Sequence, residues 1–188
     1  MSRRRAPDTN FSPAPAAYAP PSGPAGPPPP HLQPFDLFLS FSVTITGFSE
    51  AELHGTAMAK TYFALIPSIV GEKHFGELLA IWYDTLVRGE GDEPLLEQLV
   101  KDQILDDPTL GPIARNVATL WYLGMWNQLP AAWRNVHGAW ANDVTFVVST
   151  QSYTEGLVWK AIHTHPPAAK QPGYGSWALP PVTTGDPS

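Results

Sequence analysis

Residues 72–87 read EKHFGELLAIWYDTLV, and in this stretch large apolar side chains recur at intervals of three and four. Such spacing is typical of a helix that packs one apolar face against a core. Gly89 follows where a helix commonly ends, because glycine readily adopts the left-handed conformation. The sequence therefore predicts a core helix over residues 72–87. Its apolar face would consist of Phe75, Leu78, Leu79, Trp82, Tyr83 and Leu86.

Two helices are predicted before this one. Residues 35–46 (FDLFLSFSVTIT) lead to Gly47, which favours a helix, although their β-branched residues leave a strand as the alternative. Ser49 and Glu52 form a capping-box pattern, in which the serine hydroxyl accepts a backbone N–H and the glutamate reaches back to the cap. A second helix would run from this cap until Pro67 ends it. Along it lie Leu53, Ala57, Lys60, Ala64 and Leu65.

Further helices are predicted towards the C-terminus. A fourth begins at Pro94, a fifth covers residues 109–126, and a last one covers residues 153–162. Between them, residues 144–148 could form a short strand or belong to an irregular packed loop. The predicted fold is mainly α, a small orthogonal helical bundle. Core positions of the fourth and fifth helices would be Leu95, Leu96, Leu99, Ile104, Leu105, Ile113, Val117, Leu120, Trp121 and Gly124.

Proline marks the boundaries of the folded region. Of 22 prolines, 11 lie in residues 1–34, a stretch rich in alanine, glycine and serine. Because proline lacks a backbone N–H and restricts the residue before it, this stretch predicts a disordered tail with polyproline II over residues 27–30. Residues 35–162 would form the helical domain. Proline and glycine return in residues 163–188, which predicts an extended C-terminal segment.

Charge and composition argue against several classes of function. Residues 35–188 carry 8 Lys and Arg against 16 Asp and Glu, and this net charge of −8 disfavours nucleic-acid binding, which needs clustered cations. The chain has no cysteine, which excludes disulfides, thiolate nucleophiles and iron–sulfur clusters. No apolar run approaches the ~20 residues of a membrane span. Residues 2–5 (SRRR) begin like a twin-arginine signal, but the apolar stretch that such a signal needs does not follow.

No catalytic, cofactor-binding or metal site is predicted. The sequence contains neither a glycine-rich dinucleotide fingerprint nor a phosphate loop, and no serine lies in a hydrolase elbow. His163 and His165 are the only close pair of histidines, and a metal site there would need two more ligands from elsewhere. His54, His74 and His137 are interpreted as surface or half-buried helix residues. We therefore expect a chain that is not itself an enzyme.

Aromatic residues are the most informative feature of the second half. Five of the seven tryptophans fall between residues 121 and 159, which fits either an aromatic core or the buried anchors of a protein–protein contact. Residues 170–181 (KQPGYGSWALPP) combine two aromatic residues with proline and glycine and have no helical periodicity. Such a segment is either disordered or laid across another protein. We favour the second interpretation, a C-terminal strap.

Four patches of this sequence resemble a known family. They are residues 36–47 (DLFLSFSVTITG), 121–124 (WYLG), 153–159 (YTEGLVW) and 172–181 (PGYGSWALPP). Together they resemble the small subunits of membrane-associated FAD-dependent sugar and polyol dehydrogenases, a family that includes the fructose, sorbitol and glucose enzymes. The resemblance extends in short patches from about residue 35 to residue 182.

The resemblance implies an α-helical, non-catalytic subunit. It would bind and stabilise a large flavoprotein that carries the FAD, help that partner to mature, and leave the cytoplasm with it. A third subunit, a multihaem cytochrome c, would carry electrons to the membrane. By position, Trp121, Tyr122 and Gly124 would belong to the helical core. The partner-interface candidates are Trp121, Tyr122, Pro172, Gly173, Tyr174 and Trp177.

Three departures from the family pattern accompany these expectations. A proline-rich tail stands where many members carry a twin-arginine signal, so the cytoplasm is the alternative to a periplasmic, membrane-attached location. The chain lacks the cysteine with which some relatives bridge to the large subunit, so its complex would be non-covalent. The stretch of residues 127–150 is longer than the corresponding region of the family. A second hypothesis needs no flavoprotein: a free-standing helical adaptor that recruits partners through its proline-rich tail.

Overall fold

A computed structural model describes residues 33–164 and residue 166. The predicted fold class is confirmed, because this part of the chain is mainly helical. The tail over residues 1–32 and nearly all of the C-terminal segment lie outside the described residues. In chain order the elements are α1 Pro34–Thr46, α2 Glu50–Gly55, α3 Ala59–Arg88, α4 Glu93–Val100, a π-helical turn Lys101–Leu105, α5 Leu110–Leu123, β1 Met125–Trp126, α6 Ala131–His137, β2 Phe146–Val147, α7 Thr150–Thr154 and α8 Leu157–Ala161.

The first helix forms where the sequence predicts it, and the second begins at its predicted cap. The helix alternative is correct for α1, which ends because Gly47 adopts a left-handed φ of 73° and donates its N–H to the Val43 carbonyl. The capping box of α2 is present in full, with the Ser49 N–H donating to Glu52 Oε2 at 2.8 Å. Local features of the sequence therefore fix the end of α1 and the start of α2.

The prediction that Pro67 ends the second helix is wrong. Helix α2 already stops at Gly55, a short turn with a positive φ at Ala57 follows, and Pro67 lies inside α3. A proline within a helix costs about 3 kcal/mol, and here the complete burial of neighbouring core side chains offsets that cost. The buried neighbours are Ile66, Ile69 and Val70. The chain bends instead at Gly71, whose φ of 81° and ψ of 150° are not helical.

A loop after α6 covers the bend in α3. A Cβ at Gly71 would lie 3.0 Å from Cζ2 of Trp140, so the indole ring packs directly on the glycine. The side chain of Asn142 donates a hydrogen bond of 3.2 Å to the Ser68 carbonyl just before the bend. These contacts join the loop to α3 and satisfy a carbonyl near the interrupted helix.

The second half is more finely divided than the sequence predicts. Helix α5 ends at Leu123 and not at residue 126, because Gly124 is left-handed and the next two residues form β1. The strand alternative for residues 144–148 holds for two residues, which pair antiparallel with β1. Helix α6 is not predicted at all. The single last helix is in fact two, α7 and α8, separated at Gly156.

The core is aromatic and lies between α1, α3 and α5. The aromatic-core interpretation is correct for three of the five clustered tryptophans, since Trp121, Trp126 and Trp133 are buried. Trp159 is half-buried, and Trp140 keeps 45% of its surface exposed. Within the described residues, no helix has both the length and the apolar character needed to span a bilayer.

Candidate partner-binding surface

The patches at the start of α1 and the end of α5 meet inside the domain. The Phe38 ring stacks on the Trp121 ring, with centroids 6.2 Å apart and planes at 23°. The neighbouring Tyr122 is half-buried, and its hydroxyl donates a 2.8 Å hydrogen bond to the Thr46 carbonyl at the end of α1. The ring of Tyr122 also contacts Phe48 edge-on at 5.8 Å. Helices α1 and α5 are thus joined through both rings.

Gly124 lets the chain around α7 approach the end of α5 closely. A Cβ at this position would lie 2.2 Å from the carbonyl oxygen of Ser152, a separation that no side chain can accept. The Ser152 hydroxyl donates to the Gly124 carbonyl at 2.8 Å, and the Val148 N–H donates to the same oxygen at 3.0 Å. Glycine is therefore required here both for the left-handed φ of 67° and for the contact.

Helix α8 is held by contacts with α7 and with α2. The Trp159 indole donates a 2.7 Å hydrogen bond to the Tyr153 carbonyl, and the two rings meet edge-on at 5.3 Å. Lys160 forms an ion pair and hydrogen bond with Glu52 of α2. The Lys160 ammonium, together with the backbone and hydroxyl of Ser49, lowers the pKa of Glu52 to about 2. The capping box of α2 and the attachment of α8 therefore share one carboxylate.

A cleft of about 470 Å³ opens beside this ion pair, where the described chain ends. Pro166, the last described residue, is buried against it. The described part of the chain therefore ends between α2 and α8. The cleft is lined by residues that include Glu52, Thr56, Gly156, Trp159, Lys160 and Pro166.

The structure separates the predicted interface residues into three groups. Trp121 is 1% exposed, and its Nε1 has no hydrogen-bond partner among the described residues, so it belongs to the core and offers no surface to a partner. The interface role predicted for Trp121 does not fit the folded domain. Tyr122 is half-buried and presents only part of its ring. The remaining candidates lie outside the described residues: Pro172, Gly173, Tyr174 and Trp177.

An apolar groove of about 620 Å³ lies next to the start of α1. Among its lining residues only Glu72 is charged, and the rings of Phe63 and Phe75 meet there at 5.5 Å. The sequence did not reveal this groove, because it forms between α1 and the two sides of the bend in α3. Its apolar lining includes Pro34, Leu37, Phe63, Pro67, Phe75 and Leu79.

His74 and His137, interpreted from the sequence as surface or half-buried helix residues, contact each other, and His74 is buried. His74 Nε2 and His137 Nδ1 are 3.2 Å apart, and Trp133 packs against both rings. Burial and the neighbouring His74 and Lys73 charges lower the pKa of His137. In the described part of the chain, no group of three or more histidine or acidic side chains is placed to hold a metal ion.

The described residues form a mainly helical domain with an aromatic core and a cleft at the end of the described chain. No family model matches the chain, and neither the curated proteins nor the solved structures contain a match.

Proposed function

We propose that this chain is the non-catalytic small subunit of an FAD-dependent sugar or polyol dehydrogenase. It binds, stabilises and helps to mature a large flavoprotein subunit, to which the FAD belongs. A multihaem cytochrome c is the third component of the assembly. The complex resides in the periplasm and attaches to the inner membrane through these partners.

One observation carries the proposal: the three resembling patches within the described residues pack against one another. Residues 36–47 contact residues 121–124 through the Phe38–Trp121 stack and the Tyr122 hydrogen bond to Thr46. Residues 121–124 contact the α7–α8 segment at Gly124 and at Gly156, whose Cβ would lie 2.7 Å from the Tyr122 carbonyl. Segments that resemble one family therefore act as one packing unit. The fourth patch, residues 172–181, lies outside the described residues.

The C-terminal segment contains two aromatic residues, Tyr174 and Trp177, which suit a strap that binds across the flavoprotein. Tyrosine and tryptophan supply large buried contacts at the centres of protein interfaces. Because the chain has no cysteine, this contact must be non-covalent. Pro166 is buried against the cleft, so a deletion that begins at residue 167 leaves the described body complete.

Co-expression tests the proposed role in stabilising the flavoprotein. A candidate large flavoprotein subunit from the same host would be produced with and without this chain, and soluble protein and bound FAD would be measured. We expect a higher yield of FAD-loaded flavoprotein when the chain is present. Equal yields of soluble, FAD-loaded flavoprotein in both preparations would contradict the proposal.

Substitution of the strap aromatics tests the binding surface. We expect Tyr174→Ala and Trp177→Ala to weaken flavoprotein binding by about 30-fold or more each, since buried aromatic anchors contribute at least ~2 kcal/mol. The matched control replaces Thr183 and Thr184 by alanine, near the same end of the chain. Binding would be measured by titration, and circular dichroism would verify that the helical body remains folded. Unchanged affinity in both aromatic variants would show that the strap assignment is wrong.

The adaptor hypothesis makes the opposite prediction for the N-terminal tail. If the chain recruits a groove-bearing domain through polyproline, deletion of residues 1–32 removes its main interaction. In the proposed small subunit the same deletion leaves flavoprotein binding close to that of the full chain. Comparing the two deletions, of residues 1–32 and of residues 167–188, in one binding assay distinguishes the two functions.

A further inference from the structure

The hydrogen bonds around His74 and His137 define a single arrangement of protons. His74 Nδ1 lies 2.9 Å from the Val70 carbonyl, which can only accept, so Nδ1 carries the proton. In a neutral ring His74 Nε2 is then the acceptor, and His137 Nδ1 must donate to it across 3.2 Å. His137 Nε2 is left to accept from the Thr109 hydroxyl, also at 3.2 Å. All four ring nitrogens are therefore used when both imidazoles are neutral.

This chain of hydrogen bonds connects three parts of the fold. His74 belongs to α3, just after the bend at Gly71, Thr109 precedes α5, and His137 is the last residue of α6. Trp133 of α6 lies 5.3 Å from the His74 ring and 4.6 Å from the His137 ring, between centroids. Its indole donates to the Thr109 carbonyl at 2.9 Å. The attachment of α6 to the body therefore depends on contacts that include this histidine pair.

The hydrogen-bonded His74–His137 pair can take up one additional proton but not two. A proton on His137 Nε2 is tolerated, because the Thr109 hydroxyl can rotate and accept instead of donating. A second proton, on His74 Nε2, would place two N–H groups and two positive charges against each other at a nitrogen–nitrogen distance of 3.2 Å. Since His74 is only 8% exposed, water cannot compensate for this repulsion unless the contact opens.

The charged residues near the histidine pair do not offset the repulsion between two protonated imidazoles. Lys73 on α3 adds positive charge near His137, while Glu77 on α3 and Asp107 before α5 oppose it. The Asp107 carboxylate is already held by the Thr109 and Leu110 N–H groups, at 2.8 and 2.7 Å. On α6 itself, the Arg134 Nε donates to the Leu129 carbonyl at 3.1 Å. No carboxylate among the described residues hydrogen-bonds either imidazole.

We propose that the His74–His137 pair is a proton-operated latch that holds α6 and the loop after it against the body near neutral pH and releases them in acid. The open state binds more protons than the closed state, so closure is favoured above the ordinary histidine pKa of about 6.5 and is lost progressively as the pH falls below it. Release exposes the Trp133 side chain to solvent and weakens the contact of the following loop, whose Trp140 packs on Gly71. It leaves the core between α1, α3 and α5 intact.

Hydrogen exchange of the full chain between pH 7.5 and pH 4.5 tests the latch. After correction for the intrinsic pH dependence, we expect exchange in residues 131–145 to increase about tenfold or more, since each proton taken up on opening shifts the equilibrium by up to about tenfold per pH unit. Exchange in α1 should stay constant over the same range. An unchanged rate in residues 131–145 would overturn the proposal.

Two further measurements keep the test decisive. His137→Asn retains a side-chain N–H that can donate to neutral His74, cannot become charged, and can turn its amide oxygen to accept from a protonated His74, so its response to acid should be abolished. His54→Asn is the matched control, because His54 is 51% exposed on α2, and it should respond like the unchanged chain. If the variant fails to fold, nitrogen chemical shifts of the unchanged chain report the tautomers directly. Protonation of Nδ1 in both rings at pH 7.5 supports the latch, and Nε2 protonation in either neutral ring overturns it.

Discussion

Replacing Gly124 by alanine tests whether the resembling patches depend on close backbone contact. Gly124 ends α5 with a φ of 67°, and the space where a Cβ would stand is occupied by backbone atoms of Ser152 and Tyr153. Gly47 is the matched control. It ends α1 in the same left-handed conformation, with a φ of 73°, but a Cβ there would meet no atom within 4 Å.

The two substitutions differ in one physical cost. Both force an alanine into the left-handed region, which costs roughly 1–2 kcal/mol. Only Gly124→Ala also drives a methyl group to 2.2 Å from the Ser152 carbonyl oxygen, so α7 must move away from α5. Such overpacking costs typically about 1–3 kcal/mol. We therefore expect losses in the free energy of unfolding of roughly 2–5 kcal/mol for Gly124→Ala and 1–2 kcal/mol for Gly47→Ala.

Urea unfolding followed by circular dichroism measures both losses on the same chain. The difference between the variants isolates the contact between the end of α5 and α7. If Gly124→Ala destabilises the domain no more than Gly47→Ala, the close packing of these patches is not a source of stability. The account of the packing unit would then be wrong.

Two smaller changes probe the same region. Tyr122→Phe removes the donor to the Thr46 carbonyl and should lower the free energy of unfolding by about 0.5–1.5 kcal/mol. Urea unfolding measures this loss, and a free energy of unfolding equal to that of the unchanged chain would contradict the prediction. Lys160→Met removes the first cause of the lowered pKa of Glu52, so this pKa should rise from about 2 towards its ordinary value, with Ser49 retaining part of the shift. Because that pKa is lowered on folding, the interaction stabilises the chain above the ordinary carboxyl range and is lost as the pH falls through about 2. Carbon NMR titration of the Glu52 carboxylate checks it, and an unchanged pKa would show that Lys160 is not the cause.

Local chemistry predicted the end of α1 and the start of α2, and tertiary packing decided where prediction failed. Glycine at the end of α1 and the capping box of α2 act within a few residues, so the sequence displays them. Pro67 carries an equally strong local signal, but the burial of the residues around it keeps α3 helical until Gly71. Helix α6 has no strong cap or periodicity, and its side chains are held by distant groups such as the Thr109 carbonyl.

The candidate site was less accessible to sequence reasoning. The histidine pair joins residues 63 positions apart, and no spacing rule connects them. The groove beside α1 forms at the bend in α3, and although the sequence predicts a break between Pro67 and Glu72, it does not indicate how the two halves of α3 are arranged. The role of Trp121 could not be decided from the sequence, because an aromatic residue in a resembling patch can belong to the core or to an interface. Its exposure of only 1% in the structure places it in the core.

The most direct test of the proposed function is to purify the tagged chain from its native host and record the absorbance and activity of the eluate. We predict a co-purifying large protein with a flavin spectrum that reduces a dye when a sugar or polyol is added. A haem spectrum would accompany it if the third subunit is retained. A colourless eluate without sugar- or polyol-dependent dye reduction would contradict the assignment as a dehydrogenase subunit.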